Sequence, residues 1–269
     1  MAKTKKPCQH GQSMHVTKKT RQTNWPSRLI LTAIAAVIVL TVGFGVAKFL
    51  DEKPETISGV MQSGPVASQT LQGVYNFRTV SVPDKMKAGV LWRSARLAAA
   101  TPDDVAYLAK LLRGGIVIDL RTATERELYP DQSIPNVPNQ SFPISGAASA
   151  NSYVAAFVNN DVDRTTLGQV LVVMANTKGS VLAHCTYGKD RTGWLVAVIM
   201  YAMGASDSQV MTEYLRSNGQ IKGASVSESW LTTTINAVRQ KYSSINGYIR
   251  NGLGVSDSTL TRLKAKFAV

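Results

Sequence analysis

Apolar and polar positions fall into three regimes along the chain. Residues 29–47, from Leu29 to Ala47, run for nineteen positions without a charge, and as a helix rising about 1.5 Å per residue they would cross most of a bilayer's hydrocarbon core. The only polar side chains in that run are threonines, whereas a buried core helix shows polar positions along one face. Residues 48–72 mix charges with glycine, proline and serine and have no apolar period, which reads as a linker. From residue 73 to 269 periods of two and of about 3.6 alternate, as a folded domain of strands and helices requires.

Within that domain Val74–Val80 and Gly89–Ser94 read as extended segments. Thr101-Pro102-Asp103-Asp104 is a helix start, with a capping hydroxyl, a proline in the first turn and acids at the positive end. That helix runs through Leu108 and Leu112 and stops at Gly114-Gly115. Ile116–Leu120 follows as a buried strand, and residues 121–127 lead away from it. Tyr129 to Gly146 carries four prolines and little periodicity, so it reads as a long loop that walls the substrate cleft. Residues 152–158 and 166–175 predict helices with Asp161, Asp163 and Arg164 between them. Val181–His184 is a short apolar strand ending at Cys185, and a helix beginning near Arg191 runs to Gly204. Ser206-Asp207 and Ser256-Asp257 cap two further helices, and helical pattern also covers 227–249 with an interruption at Gly247. Strands alternating with helices predict one α/β domain with a mainly parallel central sheet flanked by helices.

The net charge of +13 suggests a nucleic-acid binder until it is located. Residues 1–28 hold seven Lys or Arg and no acid, leaving 23 of the 30 basic residues against all 17 acidic ones beyond them. The excess is largely a tail, and no nucleic-acid partner is expected. Basic residues before the apolar run place 1–28 in the cytoplasm, 29–47 as a single transmembrane helix and the domain outside the cell membrane, by the positive-inside rule. The competing expectation is a secreted protein released by signal cleavage, though Phe44-Gly45-Val46-Ala47 is a poor cleavage match. Two cysteines, Cys8 and Cys185, imply no disulfide framework. Of three histidines, His10 and His15 lie in the tail, so His184 is the domain's one imidazole and a histidine-rich metal cluster is excluded.

Candidate chemistry gathers at His184-Cys185-Thr186-Tyr187-Gly188-Lys189-Asp190-Arg191-Thr192-Gly193. A strand ends on a cysteine, five residues loop round to an arginine, and a helix begins. Helix N-termini present unpaired N–H groups and partial positive charge, so a loop wrapped on this one would bind an oxyanion. The same field favours the Cys185 thiolate. Arg191 supplies a planar fork for two phosphate oxygens. Phosphoryl transfer needs these parts.

This loop resembles the signature of bacterial cysteine-dependent tyrosine and dual-specificity phosphatases, a group that includes secreted mycobacterial enzymes also accepting phosphoinositides. Asn76-Phe77-Arg78, Arg93-Ser94, Ile118-Asp119-Leu120-Arg121 and Tyr214-Leu215-Arg216-Ser217-Asn218 resemble the same group, so the likeness spans most of 73–269. The resemblance implies a phosphocysteine on Cys185, phosphate held by Thr186, Tyr187, Gly188, Lys189, Asp190 and Arg191, and no cofactor. It places the general acid on Asp190; phosphatases that carry the acid on a separate loop would use Asp161 or Asp163. His184 and Thr192 support the loop, while Asp119 and Arg121 either orient it or form a structural ion pair at a strand end. Expected substrates are phosphotyrosine proteins, with phosphoserine and phosphothreonine proteins beside them. Phosphoinositides, toward which Lys189 points in resembling loops, are the alternative. A tethered module that binds phosphate without turnover, and sulfur transfer on the same cysteine, are competing classes.

Overall fold

A computed structural model describes residues 70–269. The basic tail, the apolar run 29–47 and nearly all of the linker lie outside the described residues. Among the described residues no helix is long and apolar enough to cross a membrane.

The strands are β1 (Arg78–Val82), β2 (Met86–Ser94), β3 (Ile116–Asp119), β4 (Asn139–Ser141) and β5 (Val181–His184), in the order β1-β2-β5-β3-β4. β1 runs antiparallel to β2, and the other neighbours pair in parallel. β5 is therefore central, and the loop after it leaves the carboxyl ends of the parallel strands, where open α/β sheets bind ligands. β4 was not legible. Its Asn-Gln-Ser is polar and exposed, an edge strand recruited by β3 without hydrophobic alternation.

Alternation along the strands divides the core. Leu91, Ile116, Ile118, Val181 and Ala183 face a large cluster with the C-terminal helices, while Trp92, Val117 and Leu182 face a smaller one with Leu97, Leu108 and Leu112. Helix α1 (Pro102–Leu111) covers the smaller cluster. Thr101 and Asp104 close its capping box, and the Asp104 carboxylate also accepts the Gln72 and Gly73 amides, tying the start of the domain down.

A six-residue helix, α2 (Ala123–Leu128), opens with a Thr122–Glu125 capping box in the segment after β3. α3 (Ala150–Val154) continues into a π-helical turn, Ala155–Asn159. α4 (Asp161–Asn176) begins five residues earlier than periodicity predicts, because Asn160 caps it by accepting from Val162 and Asp163. Asp161 and Asp163 consequently lie in a helical first turn, not on a loop between helices.

α5 (Arg191–Ala202) has every residue but Tyr201 buried, as an all-round apolar helix must be. Trp194 stacks on Phe157 at 5.7 Å between ring centroids and donates to Tyr248 Oη at 3.3 Å. α6 (Asp207–Leu215), α7 (Glu228–Tyr242), α8 (Ile245–Gly247) with a π-turn to Gly252, and α9 (Asp257–Phe267) complete the cover. The interruption expected at Gly247 within 227–249 comes earlier, at Ser243 with φ 65°.

Candidate active site

β5 ends at His184, and Cys185 follows with 1% of its surface exposed. The turn that brings the chain back to α5 depends on Gly188, whose φ is +64° and whose added Cβ would stand 2.1 Å from the Ser94 carbonyl oxygen. Asp190 sits at the N-cap of α5 with no side-chain capping bond. Among the described residues the amides of 186 to 190 donate to no other protein group, so the loop presents a ring of uncommitted donors at a helix N-terminus.

The loop's carbonyls are held from outside. Asn76 Nδ2 donates to the Tyr187 and Gly188 oxygens at 3.0 and 3.1 Å, and Arg93 donates to Gly188 O. Arg93 and Arg78 are direct cross-strand partners, a like-charge pairing that costs energy unless neutralised. Glu213 of α6 does so, at 2.8 Å from Arg78 Nε and 3.3 Å from Arg93 Nη1. Burial works against the Glu213 carboxylate, but the charges of Arg78, Arg93 and Arg216 hold it below the usual range. Glu213→Ala should therefore cost about 3–5 kcal/mol in chemical denaturation, since it leaves two buried guanidiniums unpaired. Sequence likeness drew in these segments without assigning them this scaffolding work.

Arg191 lies with its fork against Glu125 of α2, Nη1 to Oε2 and Nη2 to Oε1 both at 2.6 Å. Thr186 Oγ1 also donates to Glu125, and Thr122 N donates to the same carboxylate at 2.9 Å. Against the effect of burial, these donors draw the Glu125 carboxyl down to about 2. Burial likewise opposes the Arg191 cation, and Glu125 with the Cys185 sulfur more than offsets it. Burial alone would raise the Cys185 thiol, yet the Arg191 charge and the Thr192 hydroxyl and amide bring it below its ordinary value. The Thr192 hydroxyl is buried and makes no hydrogen bond in the resting structure, which leaves it free to serve the sulfur.

Behind the loop, His184, Asp119, Arg121 and Asp131 form a buried polar cluster. Arg121 Nη2 is 2.8 Å from Asp119 Oδ2 and 2.7 Å from Asp131 Oδ2. His184 Nε2 lies 3.2 Å from Asp131 Oδ2 but is not aimed to hydrogen-bond it, and Nδ1 lies 3.3 Å from the Cys185 carbonyl oxygen. Burial disfavours the imidazolium, but Asp131 and Asp119 raise the His184 pKa overall. His184, Asp119 and Asp131 have donor atoms close enough to hold a cation, but the Arg121 guanidinium already pairs with both carboxylates.

On the other side of the loop, Lys189 Nζ is 2.9 Å from both Asp190 oxygens and 5.4 Å from the centre of the Trp230 ring. Tyr153 Oη donates to Asp190 Oδ1 at 2.8 Å. Of the alternative acids, Asp161 pairs with Arg164 at the surface, and Asp163 is buried as acceptor for Ser145 N and Asn160 Nδ2. Asp190 instead lies in the loop itself, five residues after Cys185. Sequence reading missed Glu125, Asp131, Tyr153, Glu213 and Trp230. For Glu125 the Thr122-x-x-Glu125 capping box was a visible signal of helix start, though not of its partner.

A central parallel strand, a cysteine at its end, a five-residue anion loop and an arginine at the next helix define a cysteine-dependent phosphatase. Residues 69–269 match the model of the tyrosine phosphatase family, and the chain belongs to that family. It is 25% identical over 276 residues to the triple specificity protein phosphatase PtpB of Mycobacterium tuberculosis, an alignment covering 74% of this chain and 98% of that one. Among solved structures, TpbA of P. aeruginosa overlays with a TM-score of 0.38 at 21% identity, over 66% of this chain and 96% of that one. A Siw14 catalytic core overlays at 0.41 and 16% identity, over 67% and 97%.

Proposed function

We propose that this tyrosine/dual-specificity phosphatase hydrolyses phosphotyrosine in proteins through a phosphocysteine on Cys185. The observation that carries the reading is a buried, thiolate-favouring Cys185 beneath loop amides that have no other partner, with Arg191 at the helix start. The thiolate attacks phosphorus, an S–P bond forms, and the phosphorus–ester oxygen bond breaks. Asp190 gives its proton to the departing phenolate oxygen. Water then attacks phosphorus, Asp190 takes its proton, and the S–P bond breaks to release phosphate. The loop amides, with the Arg191 N–H groups that Glu125 does not take, hold the non-bridging oxygens throughout, where their fixed positions stabilise the transition state. Thr186, Tyr187, Gly188 and Lys189 contribute loop backbone to this cradle.

Protein substrates fit better than phosphoinositides because Lys189 is committed to Asp190 and Trp230, not projecting outward for a second phosphate. Residues 29–47 would anchor the protein in the membrane with the domain outside, their apolar length and the basic tail supporting that placement. The test is phosphate release by the full-length chain from phosphotyrosine peptides, phosphoserine peptides and phosphoinositide vesicles under reducing conditions. The expected ranking puts phosphotyrosine first, with an acid-quenched phosphocysteine trapped on Cys185. Preference for the vesicles would overturn the protein reading, and phosphate binding without turnover would leave a tethered binding module.

A further inference from the structure

A hydrogen-bond chain enters the site from an element that carries no motif. Tyr153, on α3, is fully buried, and its hydroxyl donates to Asp190 Oδ1 at 2.8 Å. The Tyr214 hydroxyl, from α6, donates in turn to Tyr153 Oη at 2.9 Å. The Tyr153 ring is fixed by three neighbours, with centroids 5.1 Å from Phe157, 6.4 Å from Tyr214 and 5.8 Å from Trp230. Neighbours on three sides fix where the ring places its hydroxyl oxygen.

We infer that Tyr153, backed by Tyr214, is the positioning residue for Asp190. The inference rests on the reading of Asp190 as the proton donor and acceptor. Asp190 is an N-cap residue that makes no capping bond, so nothing in its own helix fixes its carboxylate. Lys189 supplies charge from a flexible stem, whereas Tyr153 supplies direction. A neutral hydroxyl also suits a group that alternates between acid and carboxylate, since it can donate to the one form and accept from the other. Burial and the Asp190 and Tyr214 contacts keep the Tyr153 phenol from ionising, so it stays a hydroxyl through the cycle.

Proton donation matters most when the leaving group is poor, so the readout is the dependence of kcat/KM, which reports the step that breaks the ester bond and not the common hydrolysis of phosphocysteine, on leaving-group pKa across substituted aryl phosphates. With the full-length chain, Asp190→Asn should steepen that dependence and Tyr153→Phe should steepen it in the same sense, losing about ten-fold on phenyl phosphate and far less on p-nitrophenyl phosphate. Tyr214→Phe, which keeps Tyr153 in place but removes its donor, should steepen it less, and serves if Tyr153→Phe does not fold. Asp190→Asn steep with both tyrosine variants losing equally on all leaving groups, or not at all, overturns Tyr153 as positioning residue and leaves Asp190 intact. A flat Asp190→Asn profile overturns the role of Asp190 and this inference with it.

Discussion

Cys185→Ser should lower kcat by at least about 10⁴-fold, the scale on which removing a nucleophile acts when the rest of the site survives. A serine hydroxyl in the same position cannot ionise in the working range, whereas the Cys185 thiol is drawn below its ordinary value by Arg191 and Thr192 despite its burial. The pH dependence carries the same argument. A free thiol titrates near about 8.5, so a thiolate favoured by the site should hold the plateau of kcat/KM into a range where a free cysteine would be mostly protonated. Activity should then fall as pH drops through the lowered thiol pKa. Binding behaves differently. The loop amides and Arg191 are untouched by the substitution, so the serine variant should still bind a phosphopeptide in titration calorimetry. A variant that keeps more than about 1% of activity would show that the chemistry does not run through Cys185.

The same loop shows why parts of the fold could be read from sequence and others not. α5 and β5 are coded locally: an apolar stretch too evenly hydrophobic for the surface and a short strand buried throughout. His184, Cys185, Asp190 and Arg191 sit within eight residues, so their spacing already implies one site. The supporting groups come from far away in the chain. Glu213 looks like an ordinary helical glutamate until the sheet register sets Arg78 opposite Arg93, and nothing within β1 or β2 predicts that pairing. Tyr153 lies in a stretch that reads as helix from sequence, but nothing in that stretch shows that its hydroxyl reaches Asp190. β4 has no hydrophobic pattern because it is an edge whose pairing is dictated by β3. The placement of Asp161 and Asp163 turned on one capping residue, Asn160, which extends α4 toward its N-terminus and sets both acids in its first turn, Asp161 against Arg164 and Asp163 against Ser145 N and Asn160.

Arg191→Lys should reduce kcat by about 10³-fold, a loss comparable to removing a principal transition-state contact. Charge is nearly conserved by that change, so charge cannot be the reason. The Arg191 fork meets Glu125 with two bonds of 2.6 Å, and its Nη1 also reaches the Leu120 carbonyl oxygen at 3.3 Å. A lysine offers one ammonium where the site is built for a plane, and it cannot bridge Glu125 and a phosphoryl group together. Glu125 in turn is fixed by the capping box of α2 and by Thr186, so it orients the guanidinium from a rigid base. Glu125→Gln should therefore cost less than Arg191→Lys, about ten-fold in kcat/KM, by loosening the fork without removing it. The double variant decides whether the two act as one unit. If Glu125 works only by aiming Arg191, adding Glu125→Gln to Arg191→Lys should change kcat little beyond the single lysine variant. A fully multiplicative loss would mean that Glu125 reaches the reaction by some route other than the arginine it grips.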